Sequence, residues 1–447
     1  MGVGTAGKLS VLGGVSLPIY FFSFRWDFLL PPPTWARGWY QVEIFLLFIP
    51  YCLALRLIWR SAAPSRATLL VLFAFALLFR LPLLSTEPRI STDLYRYLWD
   101  GRVQMVGINP YRYAPEDEAL RSLRDESVYR WINRKEFPTI YPAGAQLIFW
   151  GAAALRLTTP ARFKALLLVA DFGAALLLLG LLDHCQVNRL RVLLYAWNPL
   201  VVYETAHAGH LEAIVVLCVV AMLLAMRKQR VNLAFVSLAL ATLVKLYPGL
   251  LAAVSARGRV ARCALIFAAV FLCAYVPYLG EGDKIIGFLP GYFSNADEIT
   301  NLGLPSLLFT MLSPVHVGWI LHLVVAGVAA WMFVRQEGDP LNHPYAFLQQ
   351  VYLLVSVHTL LLYPALYPWY LIWLIPLLCI FPSPGWLYFS CASSFVYITW
   401  PTPTWVLWLE YAPLYVLLSI EITVRRGSQP IAPPAKGRLL ETPGSGL

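Results

Sequence analysis

Apolar runs recur along the chain from about residue 10 to residue 423, and no polar gap between them is long enough to hold a second domain. A helix needs ~20 apolar residues to cross a hydrocarbon core, and fewer where it is short and locally matched. Windows of this kind lie at 9–24, 39–55, 67–84, 142–158, 165–183, 192–206, 210–226, 231–254, 263–281, 316–334, 346–363, 368–382, 386–400 and 403–423. The pattern predicts one all-α polytopic integral membrane domain over 1–424, with about 12–14 transmembrane helices by the window rule. Two connections read as real loops, 85–141 and 282–304. From Arg425 the chain turns rich in Pro, Gly and charge, which predicts a disordered tail over 425–447.

Composition narrows the class. Of the 447 residues 59% are hydrophobic and 13% charged, against roughly a quarter charged in an average soluble domain, so a water-soluble enzyme is excluded. The net charge is 34 − 24 = +10. Much of that excess sits in short loops and in the tail, as at Arg56, Arg60, Arg66, Arg257, Arg259, Arg262, Arg425, Arg426, Lys436 and Arg438. Basic residues at helix ends hold the cytoplasmic side of a membrane protein, so the charge implies membrane lipid and no nucleic acid. The seven cysteines show no CxxC spacing and lie mostly inside apolar runs, as small buried residues do. No small-residue cleavage pattern follows the first apolar stretch, so no cleaved leader is expected. With the basic clusters and the N-terminus inside, both long loops fall on the outer face. Arg227, Lys228 and Arg230 leave the middle open: if 192–206 and 231–254 both cross, these charges lie outside; if both are re-entrant, the total falls to twelve.

The first outer loop holds the candidate chemistry. It begins Arg89-Ile-Ser-Thr-Asp93-Leu-Tyr-Arg96-Tyr97-Leu-Trp99-Asp100-Gly101-Arg102. Asp93, Tyr97 and Asp100 fall at i, i+4 and i+7, on one face of a helix. Leu94, Leu98 and Trp99 give another face something apolar to rest on, as in a helix lying at the membrane interface. Pairing of Asp93 and Asp100 with Arg96 and Arg102 on a solvated helix is the simpler alternative, since such pairs are common and worth little. Against it stand the length of the loop and its concentration of acids and aromatics beside a membrane face. The second loop, with Asp283, Lys284, Asn295, Asp297 and Glu298, is also positioned to close over it.

Thr92-Asp93 followed by Asp100, then Gly107-x-Asn-Pro-Tyr111 and Tyr141-Pro142, resembles the first outer loop of GT-C glycosyltransferases. These membrane enzymes take a sugar from a polyprenyl-phosphate carrier; the pattern is similar to that of the GPI-anchor first mannosyltransferase and its prokaryotic relatives. Asn198-Pro199-Leu200 leading to Gly209-His210-Leu-Glu212, then Lys245-Leu-Tyr247-Pro248, then Tyr367-Pro368-Trp369-Tyr370 match in the same order, so the resemblance spans roughly residues 65–382. It implies a GT-C-like bundle with a long first outer loop, and an inverting hexosyl transfer, most readily of mannose, to a glycan or lipid acceptor. The active site would face the non-cytoplasmic side of the plasma or inner membrane. Two positions depart from the pattern. Tyr95 stands where the GPI enzyme has a second acid, so no Asp-x-Asp exists to hold a metal, and neither metal nor cofactor is expected. Tyr367 stands where a histidine is usual.

The resemblance makes Asp93 the candidate base for the acceptor hydroxyl. Asp100 reads as an orienter of Arg96 or Arg102, and those arginines as phosphate clamps by fork geometry or as paired surface charge. Lys245 lies deep in an apolar run, where a bare ammonium costs at least ~2.5 kcal/mol. It either reaches a lipid phosphate or snorkels. His210 and Glu212 open a helix as donor-site candidates, although Glu212 there also complements a helix dipole. Tyr111, Tyr141, Trp369 and Tyr370 are candidates to stack on a sugar. His184, His316, His322, His343 and His358 are unclustered and receive no role. The rival class is a transporter or flippase for a lipid-linked glycan, which would favour internal repeats and midplane charges; a third is a non-catalytic envelope-assembly partner, which would leave Asp93 without a task. The outer-face assignment is tested at Glu118: a cysteine there is expected to react with a membrane-impermeant maleimide in intact cells, and labelling only after lysis would reverse the topology.

Overall fold

The computed structural model describes residues 4–23, 34–61, 65–294, 301, 303, 312–335, 339–362, 365–397 and 404–427. The expectations for Asn295, Asp297, Glu298 and the tail from 428 lie outside these residues. The chain is all-helical, without a strand among the described residues. In order come α1 (Thr5–Phe22), α2 (Thr34–Trp59) and α3 (Arg66–Leu84), then the outer loop with α4 (Asp93–Met105). Next are α5 (Ala143–Ala154), α6 (Pro160–His184), α7 (Leu193–Ala196), α8 (Pro199–Val202), α9 (Glu212–Arg227), α10 (Val231–Val244) and α11 (Ala252–Ser255). The second half has α12 (Val260–Tyr275), α13 (Leu289–Ser294), α14 (Pro314–Arg335), α15 (Pro344–Leu360), α16 (Ile375–Leu378), α17 (Pro384–Ala392) and α18 (Thr404–Gly427).

Six described helical stretches are long and apolar enough to cross a membrane: Tyr40–Trp59, Arg66–Leu84, Pro160–His184, Val260–Phe293, His316–Arg335 and Trp405–Val424. This is the polytopic all-α architecture that the apolar pattern implies. The windows at 192–206, 231–254 and 368–382, and the described part of 386–400, are by contrast chains of shorter helical pieces. Pro199, Pro248, Pro368, Pro376 and Pro384 each open such a piece, where a missing N–H costs nothing and φ is already helical. Such breaks are tolerated at membrane depth only where protein surrounds the backbone. Most of these segments are buried, as at Leu200, Val201, Val202, Leu374 and Ile375. Their apolar character reflects a protein core as much as lipid. The lipid-facing character is carried by the long helices, which expose Leu70, Val169, Leu176, Leu265, Leu272 and Leu323.

α9 packs between α6 and α10, and α3 lies against α1 and α6. One buried polar cluster joins α3, α6 and the α7 turn. Arg80 Nε lies 2.5 Å from Asp171 Oδ2, Arg80 Nη1 donates to the Ala76 and Ala196 carbonyls, and the Tyr195 hydroxyl donates to Asp171 Oδ1. Removing one partner of a buried pair leaves an uncompensated charge and typically costs about 3–5 kcal/mol. Arg80→Met should therefore lower the unfolding temperature in detergent sharply. Arg80→Met combined with Asp171→Leu should lose less than the sum of the single losses; additive losses would show that the pair is not coupled.

Candidate active site

The loop that holds Asp93 is fixed from below by α6 and by the segment before α9. α3 ends at Leu84, and the fully buried Lys164 of α6 donates to the carbonyls of Leu83 (2.7 Å) and Thr86 (2.6 Å) beyond it. A cation there suits the negative end of a helix. Residues Tyr203–Ala208 form a π-helical turn, closed by Gly209 at φ 77°; π-turns occur mostly as single insertions at functional sites. From that turn, His207 Nε2 accepts from the backbone N–H of Arg89 (3.2 Å), so its proton resides on Nδ1, which donates to Thr86 Oγ1 (2.8 Å). Gly209 is needed for its left-handed backbone, and a Cβ there would press on Lys164 and Leu94.

α4 starts at Asp93, whose carboxylate sits in the first turn where the helix dipole favours negative charge. Asp93 Oδ1 accepts from Asn133 Nδ2 (2.8 Å); Oδ2 has only the long contact of the Tyr141 hydroxyl (3.4 Å). Leu94, Leu98 and Trp99 are buried against protein, so α4 is held by packing on both faces. Asp100 is buried and occupied: Oδ1 accepts from Arg96 Nε (2.8 Å) and Oδ2 from Gln146 Nε2 (2.9 Å). Arg96 Nη1 in turn donates to the carbonyls of Phe137 and Arg134. Arg102 points away, into the outer part of the loop, where it pairs with Asp125 at 2.8 Å and donates to the Leu123 carbonyl. Against the cost of partial burial, the N–H groups of Val128 and Tyr129, the Ser127 hydroxyl and Arg102 hold the Asp125 carboxyl down at about 2.

The remaining walls come from later in the chain. Lys245, at the extended residue ending α10, lies 3.2 Å from the fully buried Glu212 at the start of α9. Its ammonium also stands over the Tyr141 and Tyr370 rings, 5.5 and 5.4 Å from their centres. Trp369 is stacked on Tyr367 (4.4 Å, 10°) and packs tilted against His210 (4.2 Å, 31°). His210 Nδ1 stands 2.8 Å from Glu204 Oε2. Glu204 Oε1 accepts from the Tyr397 hydroxyl (2.9 Å). Two outer segments also meet: Phe137 and Phe288 stack at 3.8 Å, and the Phe288 N–H donates to the Thr139 carbonyl. Gly287 (φ 55°) permits this crossing, since a Cβ would collide with that carbonyl.

These parts enclose two adjoining cavities. A polar one of about 550 Å³ is lined by Asp93, Arg96, Asn133, Arg134, Lys245 and Trp369, with further loop and aromatic residues. A largely apolar one of about 460 Å³ runs along Leu246, Leu250, Leu321, Val325 and Leu362, with His322 and His358 in its wall. They share Ile140, Tyr141, Lys245, Tyr292 and Tyr370. Of the residues singled out in the sequence, Asp93, Arg96, Tyr141, Lys245, Trp369 and Tyr370 meet at the polar cavity. Asp100, His210 and Glu212 stand behind Arg96, Trp369 and Lys245. Arg102 is outside, Tyr95 turns its hydroxyl to Glu87, and Tyr111 braces the Tyr141 carbonyl instead of facing a ligand. The second outer segment reaches the cavity through Phe288 and Tyr292, while Asp283 and Lys284 are exposed away from it. Asn133, Arg134, Lys164, Glu204 and His207 carried no signal in the sequence, because each depends on a contact distant along the chain. Among the described residues no three His, Cys, Asp or Glu side chains gather as a metal site.

A helical membrane bundle with a carboxylate, a lysine and aromatic walls at the junction of a polar and an apolar cavity can hold a substrate with one polar and one apolar end. The chain belongs to the MptA_B family, whose sequence model, described as alpha-(1->6)-mannopyranosyltransferase, N-terminal domain, matches residues 34–261, just over half of it. It is a mannosyltransferase. No curated protein and no solved structure matches the chain. The geometry also sets what loss of Lys245 should do. Lys245→Met strands the Glu212 carboxylate in the interior and should cost about 3–5 kcal/mol, read as a lower melting temperature in detergent. Adding Glu212→Gln should recover much of that loss; a double variant no more stable than the single one would remove the pair from the fold's support.

Proposed function

We propose that the enzyme transfers mannose, with inversion, from a polyprenyl-phosphate carrier to a glycan or lipid acceptor on the non-cytoplasmic face of the plasma or inner membrane. The observation that carries this reading is the seam between the cavities: Lys245 belongs to both, and Asp93 lies on the polar side only. A polyprenyl-phosphate sugar has the matching chemistry, an apolar chain, one phosphate and a polar ring in sequence. In this reading the chain follows Leu246, Leu250 and Leu321, the phosphate meets the Lys245 ammonium, and the sugar extends toward Asp93.

Asp93 is then the base. Asn133 holds Oδ1, which leaves Oδ2, with its single long contact to Tyr141, as the oxygen that takes the acceptor proton. The acceptor oxygen bonds to the anomeric carbon as the bond from that carbon to the phosphate oxygen breaks. The electron pair departs with the phosphate, where the lysine's charge stabilises it. Arg96, engaged by Asp100 and two carbonyls, shapes the wall in this scheme. Asp93→Asn keeps size and hydrogen bonding but removes the basic oxygen, and a general base contributes 10²–10⁴-fold, about 3–5 kcal/mol of barrier. Purified Asp93→Asn protein should accordingly lose radiolabelled mannose transfer by at least about a hundredfold while still binding the carrier lipid. Retention of more than about a tenth of the wild-type rate would exclude Asp93 as the base.

A further inference from the structure

We infer that Glu212 sets the charge that the seam retains: it lets the lysine site hold a singly charged phosphodiester and release the doubly charged phosphomonoester left by transfer. The inference rests on the donor reading above and adds a selectivity residue to it. In that reading the acceptor oxygen bonds to the anomeric carbon, its proton passes to Asp93, and the electron pair of the broken bond stays on the phosphate. The phosphate at Lys245 thus goes from one negative charge to two at neutral pH, because a phosphomonoester loses its second proton near pH ~6. An ammonium with no carboxylate beside it would hold the emptied carrier more tightly than the fresh donor. Product release, which limits many enzymes, would then slow each turnover.

Lys245 lines both cavities, and Glu212 lies 3.2 Å behind it. Glu212 is fully buried in the first turn of α9, where the helix dipole favours a carboxylate. Beyond the lysine, neither of its oxygens has a hydrogen-bond partner among the described residues, so its charge is not spread over other groups. A phosphate oxygen bonded to the ammonium at ~2.9 Å, added to the 3.2 Å of the ion pair, stands within about 6 Å of that carboxylate. One unit of charge at that distance changes affinity about threefold in bulk water and about a hundredfold at an effective dielectric of ~20. The first phosphate charge meets the ammonium directly. The second must give up its water for an ammonium already paired. Arg96 adds little, being engaged by Asp100 and two carbonyls, and Arg89 and Arg134 hold partners of their own.

The test compares two inhibitors of mannose transfer from polyprenyl-phosphate mannose: polyprenyl phosphate, and its monomethyl ester, which stays singly charged. At about pH 7.5, where the free phosphate carries two charges, the wild-type ratio of inhibition constants, phosphate over ester, is expected to exceed one. Glu212→Gln should lower that ratio at least about threefold, the least that one charge does even in water. Glu212→Asp restores the charge and should keep the wild-type ratio. A wild-type ratio of one or less, a smaller fall in Glu212→Gln, or an equal fall in Glu212→Asp would overturn the inference and leave the donor reading intact. If the variants fail to fold, the wild type decides: its ratio should climb from near one as pH rises through the phosphate's second pKa of ~6, and a flat or falling ratio overturns the inference. Tyr97, Tyr247, Tyr370 and His210 also face Glu212, and His322 and His358 line the apolar cavity. A proton gained by any of them acts alike on two singly charged inhibitors and leaves their ratio unmoved. Wild-type protein that transfers no mannose from any polyprenyl-phosphate carrier would overturn the donor reading, and the inference with it.

Discussion

Ionisable side chains inside an apolar bundle must each find a partner, because an unpaired buried charge costs several kcal/mol. Between Tyr203 and Glu212 the chain buries four of them completely: Glu204, His207, His210 and Glu212. Three find partners on other elements, while His210 faces Glu204 within the same stretch and packs its ring on Trp369. Glu204 reaches Tyr397, His207 reaches the base of the outer loop, His210 reaches Trp369, and Glu212 reaches Lys245. The need to satisfy one short polar stretch thus ties together the three regions that wall the cavity. The π-turn fits this need, since it advances the side chains by a different angle from an α-helix and so directs neighbours such as Glu204 and His207 to opposite sides.

The division of labour follows the chain. Asp93, Asn133, Tyr141 and Lys245 lie within the stretch that the family model covers. Tyr367, Trp369, Tyr370 and Tyr397 arrive from the second half through short pieces opened by proline or packed under α18. The paired residues behind the cavity, Asp100 behind Arg96 and Glu212 behind Lys245, fix long side chains that would otherwise roam. A held arginine or lysine loses less freedom on meeting a ligand, which is how a site on irregular backbone stays preorganised.

How much of this was legible in the sequence differs by element. The all-α membrane class followed from apolar windows, because lipid imposes a length that composition records directly. Span continuity did not. Leu200 and Leu374 are apolar whether they face lipid or protein, and hydropathy does not separate the two. Asp93, Lys245 and Trp369 stood out because an acid in an outer loop, an ammonium in an apolar run and a proline-aromatic turn are locally unusual. Lys164 was hidden at what reads as the ordinary basic end of a helix, and Asn133 in a stretch of common loop polarity. Their roles depend on Leu83 and Asp93, 81 and 40 residues away along the chain, and no local pattern records such pairings.

The crossing at Gly287, where the Phe288 N–H meets the Thr139 carbonyl beside the Phe137–Phe288 stack, bears on how the cavity keeps its shape. This clasp joins the two outer segments at the wall of the polar cavity, which Phe137 and Phe288 both line. The shape of that wall therefore hangs on a single missing methyl: any side chain at 287 would drive the two outer segments apart where they cross, and the cavity would lose a side rather than a contact.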